Sequence, residues 1–165
     1  MELTFIITGG VLLGCFIGLS WFAGSDAPFV PTKQEKIKKA LKLVNLKGKN
    51  FYELGSGDGR IVLEAARMGA EAYGIEQSWI RVLYSRWKAR QRNLPNANFF
   101  HGNIFQKDLS DADVIFIYLL HEGVAKLKNK LKKEVKKDAK IITQTYHFKN
   151  WKPYKKSGDF WLYRV

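Results

Sequence analysis

The sequence predicts an α/β fold: a doubly wound, mostly parallel sheet preceded by one apolar N-terminal helix. Three observations carry that reading. Short apolar runs alternate with amphipathic stretches from residue 33 onward, the pattern of strands joined by crossover helices. A glycine-rich loop, Gly55-Ser56-Gly57-Asp58-Gly59, links the first run to a helical stretch. Residues 114–120, Val-Ile-Phe-Ile-Tyr-Leu-Leu, are nearly all apolar, as expected of a strand covered on both faces.

Residues 3–23 carry no charge, and at about 1.5 Å per residue they reach roughly 30 Å, a bilayer core. The expectation is a transmembrane anchor over residues 1–25 and one further domain over 26–165. Lys33, Lys36, Lys38, Lys39 and Lys42 follow, which predicts that the second domain lies on the cytoplasmic side of a prokaryotic plasma membrane or, alternatively, on the equivalent side of a mitochondrial inner membrane. Gly10, Gly14 and Gly18 recur every four residues and offer a face for a homodimer. Pro28 and Pro31 favour an extended tether over 26–32.

In the second domain, Thr32 and Glu35 have capping-box spacing, and Ile37, Ala40, Leu41 and Val44 share a face, predicting a helix over 33–45. Residues 50–54 read as a strand, 60–68 as a helix and 71–76 as a second strand. Ser78 is a candidate cap for a helix with Ile80, Leu83, Tyr84 and Trp87 inward and Arg81, Lys88 and Arg92 outward. Strands over 98–101 and 113–120 follow, then a basic helix with Val124, Leu127, Leu131 and Val135 inward. Residues 140–145 and 160–165 complete the sheet.

The 165 residues are 46% hydrophobic and carry 28 Lys+Arg against 15 Asp+Glu, a formal charge of +13. A disordered chain is excluded by that apolar content. One Cys excludes a disulfide framework or a four-cysteine zinc cluster, and no metal is expected. Twelve lysines between 123 and 157 against Glu134 and Asp138 point to a polyanion, either nucleic acid or anionic lipid.

The glycine loop decides the ligand class. Glycines permit positive φ and close backbone approach, and a helix N-terminus follows. The dinucleotide fingerprint requires a third glycine at position 60, where Arg60 stands, and no Gly-Lys-Ser/Thr follows for a P-loop. Glu53 suits an ammonium, Gly55, Gly57 and Gly59 offer amides to a carboxylate, and Glu76 stands 21 residues after Gly55, near the offset that meets ribose hydroxyls. Asn103 and Ile104, after the third strand, suit an adenine. The four features in this order predict S-adenosylmethionine.

At these residues the chain resembles the class I, Rossmann-like S-adenosylmethionine-dependent methyltransferases. More narrowly it is similar to the protein-lysine methyltransferases that include archaeal enzymes and the anchored mitochondrial enzymes acting on the membrane-ring subunit of ATP synthase. The resemblance rests on Pro28-Phe-Val-Pro-Thr32, residues 54–62, Gly102-Asn103, Leu119-Leu120 and Phe148-x-x-Trp151-x-Pro153. It implies Phe29 and Thr32 near the methionine end of the cofactor, with Glu53 where Asp is commoner. Tyr118 to His121 would then flank the acceptor.

Methyl transfer is an in-line displacement, so alignment is the main requirement. A lysine acceptor must also be neutral, which costs roughly 4.6 kcal/mol at pH 7 from a pKa near 10.4. Tyr118 is a candidate to orient the amine, His121 and Glu122 to accept its proton, and Leu119 and Trp151 to line the acceptor channel. The basic helix is expected to lie toward anionic lipid. Two rivals remain: an RNA or other nucleic-acid methyltransferase, and a non-catalytic S-adenosylmethionine-binding membrane protein. Enzymes acting on base amines usually carry an Asn/Asp-Pro-Pro-aromatic turn where this chain has Tyr118-Leu-Leu-His121, which makes a nucleic-acid partner the weaker expectation.

Overall fold

The computed structural model describes residues 2–22 and 30–165. Its sheet has seven strands in the order β3-β2-β1-β4-β5-β7-β6. Strands β1 (Asn50–Leu54), β2 (Glu71–Glu76), β3 (Ala97–His101), β4 (Val114–Ile117) and β5 (Lys140–Gln144) run parallel. The hairpin of β6 (Lys155–Ser157) and β7 (Phe160–Arg164) joins β5 antiparallel. Strand order reverses between β1 and β4, so their C-terminal ends open the crevice in which such sheets bind ligands.

The two faces divide the apolar residues by strand alternation. Phe51, Phe116, Ile142 and Leu162 pack with α2 (Gln34–Leu41), α3 (Arg60–Arg67) and α4 (Trp79–Gln91). Tyr52, Ile115, Ile141 and Tyr163 pack with Val124, Leu127 and Leu131 of α5 (His121–Glu134). The predicted inward face of α5 is therefore the buried one. The other strands and the helices match the sequence reading to within a few residues, α5 beginning three residues earlier than its apolar spacing suggests, whereas the short β6 was not expected.

Helix α4 turns the other way from its prediction. Leu83 and Trp87 are 57% and 55% exposed, whereas Arg81, Val82, Ser85 and Ala89 are buried. Small residues face inward because the glycine loop comes close: a Cβ on Gly59 would stand 2.7 Å from Ser85 Oγ. Arg81 goes in with them because its guanidinium meets the Glu76 carboxylate at 3.5 Å. The predicted capping box also does not form. Lys33 is the α2 N-cap, and the Thr32 hydroxyl instead donates to Gln144 Oε1 at 3.0 Å.

Helix α1 (Glu2–Phe22) covers the predicted apolar segment. The expectation of a spanning anchor, with the cytoplasmic-side localisation built on it, is corrected: among the described residues no helix is long and apolar enough to cross a membrane. A Cβ on Gly10, Gly14 or Gly18 would meet nothing within 4 Å, so the predicted pairing face receives no contact from this chain. The basic face of α5 is largely engaged by its own domain. Lys128 donates to the carbonyls of Lys149 and Asn150, and Lys130 pairs with Glu134. Lys132 stands 5.0 Å from the Trp151 ring centroid, and Lys136, just past the end of the helix, meets Asp113 at 2.9 Å.

Strand β3 lies at one edge of the sheet, where an open carbonyl invites pairing with another chain. Arg86 blocks it, donating Nε and Nη2 to the Phe99 carbonyl at 3.0 and 2.7 Å.

Gly59 fixes how the loop enters α3. Its φ is +76°, and an added Cβ would lie 2.6 Å from the Phe99 ring. The left-handed conformation costs a larger residue about 1–2 kcal/mol and the overpacking about 1–3. Gly59→Ala is therefore expected to destabilise by about 3 kcal/mol, read as a lower urea midpoint at unchanged slope.

Candidate active site

The first cleft lies where β1, β2 and β4 end. It is lined by residues 30–32, by Glu53, by the glycine loop with Arg60, by Glu76 and Arg81, and by Tyr118 and Leu119. The loop is shaped by its own hydrogen bonds. Gly55 and Ser56 give their N–H groups to the Ile75 carbonyl at 2.9 and 3.0 Å, and Gly59 gives its own to the Ser56 carbonyl at 2.8 Å. Gly57 donates to Glu76 Oε2 at 2.8 Å, and Ser78 to Glu76 Oε1 at 3.0 Å. The amides predicted to meet a ligand carboxylate are thus spent within the protein, and the cations that line the cleft are Arg60 and the buried Arg81.

Three carboxylates surround the cleft with unequal partners. Burial alone would raise the Asp58 carboxyl, but hydrogen bonds from Arg60 and the charge of Lys88 outweigh it and hold Asp58 below the usual range. Arg60 Nε and Nη2 reach the two Asp58 oxygens at 2.8 and 3.0 Å, and Lys88 reaches Oδ2 at 3.2 Å. Arg60 Nη1 also donates to the Thr32 carbonyl at 3.1 Å. Together with the Thr32–Gln144 bond this clamps residues 30–32 between the glycine loop and β5. Glu53 has no such match. Burial first, then the nearby Asp58 charge, push its carboxyl well above the ordinary value, and Oε2 is buried without a hydrogen-bond partner among the described residues.

A second, larger cavity of about 490 Å³ extends across the ends of the sheet. Gln77, Ile104 and Phe105 line it from the β2 and β3 loops; Leu119, Leu120, His121, Glu122, Gly123, Lys126 and Tyr146 line it from the β4 and β5 side. Leu119, Gly55 and Glu76 belong to both spaces. Leu119 divides them because two glycines make room for it: a Cβ on Gly55 would stand 3.1 Å from Leu119 Cδ2, and one on Gly123 would stand 3.3 Å from its Cβ.

The predicted residues separate accordingly. Thr32, Glu53, Gly55, Gly57, Glu76 and Tyr118 gather at the first cleft, and Ile104, His121 and Glu122 at the second cavity. Gly59 supports the loop from behind. Asn103 is exposed, its side-chain oxygen accepting the Phe105 N–H at 2.9 Å. Trp151 stands apart, packed on Phe148 and Tyr163 with ring centroids 5.0 and 5.4 Å away. Phe29 and positions 26–28 of the tether lie outside the described residues. Sequence reasoning missed Asp58, Arg81, Lys126 and Tyr146. Asp58 alone had a readable signal, lying two residues before an Arg inside the glycine loop.

A reversed-order parallel sheet with a glycine loop, an acid ending β2 and an unmatched buried carboxyl beside it defines a class I S-adenosylmethionine-dependent methyltransferase. The family profile described as the ANTKMT methyltransferase domain matches residues 53–155, and the chain belongs to that family. A human lysine N-methyltransferase, named for the c-type subunit of ATP synthase, is 30% identical over 133 residues, 80% of this chain and 57% of the relative. A protein-lysine N-methyltransferase of Saccharolobus islandicus (strain REY15A) is 29% identical over 76% of this chain and 81% of its own length. A crystal structure described as an RNA methyltransferase from Salinibacter ruber, in complex with S-adenosyl-L-homocysteine, superposes with a TM-score of 0.76 at 30% identity. It covers 82% of this chain and 92% of that one. The chain spans little more than half the human relative's length.

The residues present fit the cofactor: Glu53, whose Oε2 has no partner and which forms no ion pair among the described residues, lines the cleft, and the cofactor's ammonium is a cation. The titration of Glu53 gives the expected pH dependence. In the free protein its carboxyl stays protonated to a higher pH than usual; an ammonium partner lowers that pKa, so binding below it expels a proton. Cofactor affinity should therefore fall as pH falls, by up to about tenfold per pH unit. Glu53→Gln should abolish that slope and weaken binding by about ten- to a hundredfold near pH 7, the value of a charge-assisted hydrogen bond. The same variant should raise the melting temperature of the free protein at neutral pH, because it removes a costly buried ionisation. That gain should vanish in acid, where Glu53 is protonated folded or unfolded. Calorimetric titration with S-adenosylhomocysteine across pH, with parallel thermal melts, reads both effects.

Proposed function

We propose that residues 26–165 form a catalytic domain that transfers a methyl group from S-adenosylmethionine to the ε-amine of a protein lysine. The observation that carries it is the joining, at Leu119, of a charged cleft with a cavity whose walls mix apolar and aromatic side chains (Leu119, Leu120, Phe105, Tyr146) with the polar groups His121 and Glu122. Such walls accept four methylenes while holding an amine near a proton acceptor. The lysine activity named for the human and archaeal relatives supports the same reading.

When bound, the cofactor would supply an electrophilic methyl on sulfur: the amine lone pair would form the N–C bond, the S–C pair would return to sulfur, and the amine proton would leave by way of His121 or Glu122 to solvent. In this reading Glu53 holds the ammonium of the donor, Arg60 faces its carboxylate, Glu76 meets the ribose, and Ile104 packs against the adenine with Asn103 nearby. Thr32 borders the methionine end. The low-dielectric wall of Leu119 and Leu120 favours the neutral amine. His121 and Glu122 stand where the departing proton goes, and Tyr118 borders the donor side.

A second reading, methylation of RNA, is favoured by the likeness to the Salinibacter ruber protein, described as an RNA methyltransferase. One assay separates the two. The purified full chain is incubated with tritiated S-adenosylmethionine and a total host extract, beside Glu76→Ala, and the product is digested with protease or nuclease. Acid hydrolysis then resolves methyllysines. Protease-sensitive label recovered as methyllysine, and lost with Glu76→Ala, is expected. Nuclease-sensitive label would replace the lysine reading with the RNA one. Cofactor binding without any label would leave a binding protein.

A further inference from the structure

We infer that Tyr146 is a further acceptor-side catalytic residue, touching the amine, and that Thr145 is the positioning residue that presents it. The inference rests on the reading of the β4–β5 side of the larger cavity as the acceptor site, its β2–β3 side with Ile104 being left to the adenine. Three observations meet at the end of β5.

The first is backbone strain. Thr145 has φ +64°, a left-handed conformation that a β-branched residue adopts only under constraint. The Tyr146 N–H donates to the Gln144 carbonyl at 2.7 Å. A hydrogen bond spanning two residues around a central positive φ is a γ-turn of the strained kind. It is held on one side by the Thr145 N–H, which donates to the Asp159 carbonyl at 2.8 Å. On the other, Gln144 Oε1 accepts from the Thr32 hydroxyl. Strain held from both sides and located at a cleft is a mark of function.

The second is where the turn sends the next side chain. Tyr146 lines the larger cavity on the β5 side, and His121 lines it from the start of α5. Their rings meet edge to face, with centroids 6.5 Å apart and planes at 86°. The third is what the predicted tyrosine does instead. Tyr118 lies in the first cleft and packs against the core, so the phenol of the acceptor cavity belongs to Tyr146.

A phenol oxygen there accepts one amine N–H and leaves the lone pair free for attack, while the ring face is attractive to an amine that is still cationic. The group-transfer step is unchanged from that given above, and Tyr146 gains or loses no proton in it.

The test uses the full chain, tritiated S-adenosylmethionine and the host extract, with methyllysine as readout and S-adenosylhomocysteine titration as a separate measure of the donor site. Tyr146→Phe is expected to lower kcat at least tenfold with donor affinity within twofold of wild type. Thr145→Gly relieves the strain, so it is expected to keep or raise the melting temperature while lowering kcat several-fold, a combination that a purely structural role would not give. Thr145→Asn, which tolerates positive φ and restricts the turn, should recover part of that loss. Unchanged kcat in Tyr146→Phe, or a parallel loss of donor affinity, would overturn the inference while leaving the lysine reading intact. Absence of methyllysine from the wild-type reaction would remove the lysine reading, and this inference with it.

Discussion

The carboxylate of Glu76 is the joint on which the site depends. It ends β2, accepts the Gly57 N–H with one oxygen and the Ser78 N–H with the other, and lies against the buried Arg81 guanidinium. One side chain thereby ties a strand end, the glycine loop and the start of α4. Charged hydrogen bonds of this kind are roughly twice as strong as neutral ones. Because both amides are already satisfied, the loop is shaped before any ligand arrives, and binding is spared the cost of ordering it. The same joint accounts for the orientation of α4. With Arg81 drawn in toward Glu76, the helix must place Val82, Ser85 and Ala89 beneath the loop, and Leu83 and Trp87 are turned outward.

Charge in the first cleft is balanced everywhere except at one point. Asp58 is matched by Arg60 and Lys88, and Glu76 by Arg81 and two amides. Glu53 sits deeper than either, carries an unsatisfied oxygen, and is held toward its neutral form. A buried unpaired carboxyl is costly in a free protein, and nothing in packing requires it at the end of β1, where Leu54 alone closes the strand. A ligand that brings its own cation would offset that cost, which is the part the proposed function gives to the ammonium end of the donor.

The periodicities made the sheet and the helix positions legible, since Val114 to Ile117 and the α5 stripe of Val124, Leu127 and Leu131 are dictated by burial alone. The glycine loop and Glu76 were legible because their spacing is a backbone requirement. What could not be read depends on tertiary contact. The inward face of α4 is set by a salt bridge and a close approach, which override its aromatic stripe. The basic helix reads as an open cationic face, yet Lys128, Lys130, Lys132 and Lys136 find partners on segments distant in the fold or one turn away. The apolar count that suggested a spanning helix spoke of composition, and among the described residues no helix is long and apolar enough to cross. Tyr146 had no pattern at all, because its position follows from a φ value that a threonine does not advertise.

In the proposed function, donor and acceptor meet across one side chain. Leu119 lies between a cleft organised by ions and a cavity organised by apolar and aromatic walls, and it fits there because Gly55 on one side and Gly123 on the other lack a Cβ. The two environments make opposite demands. The donor end needs fixed charges to orient a zwitterion, and the acceptor end needs a low dielectric to keep an amine neutral. A strand end that delivers a leucine, flanked by glycines from β1 and α5, keeps these environments within a side chain's width without letting either spoil the other. The short distance over which a methyl group must pass is thus set by the same two glycines that allow the chain to turn at β1 and to start α5 so close to β4.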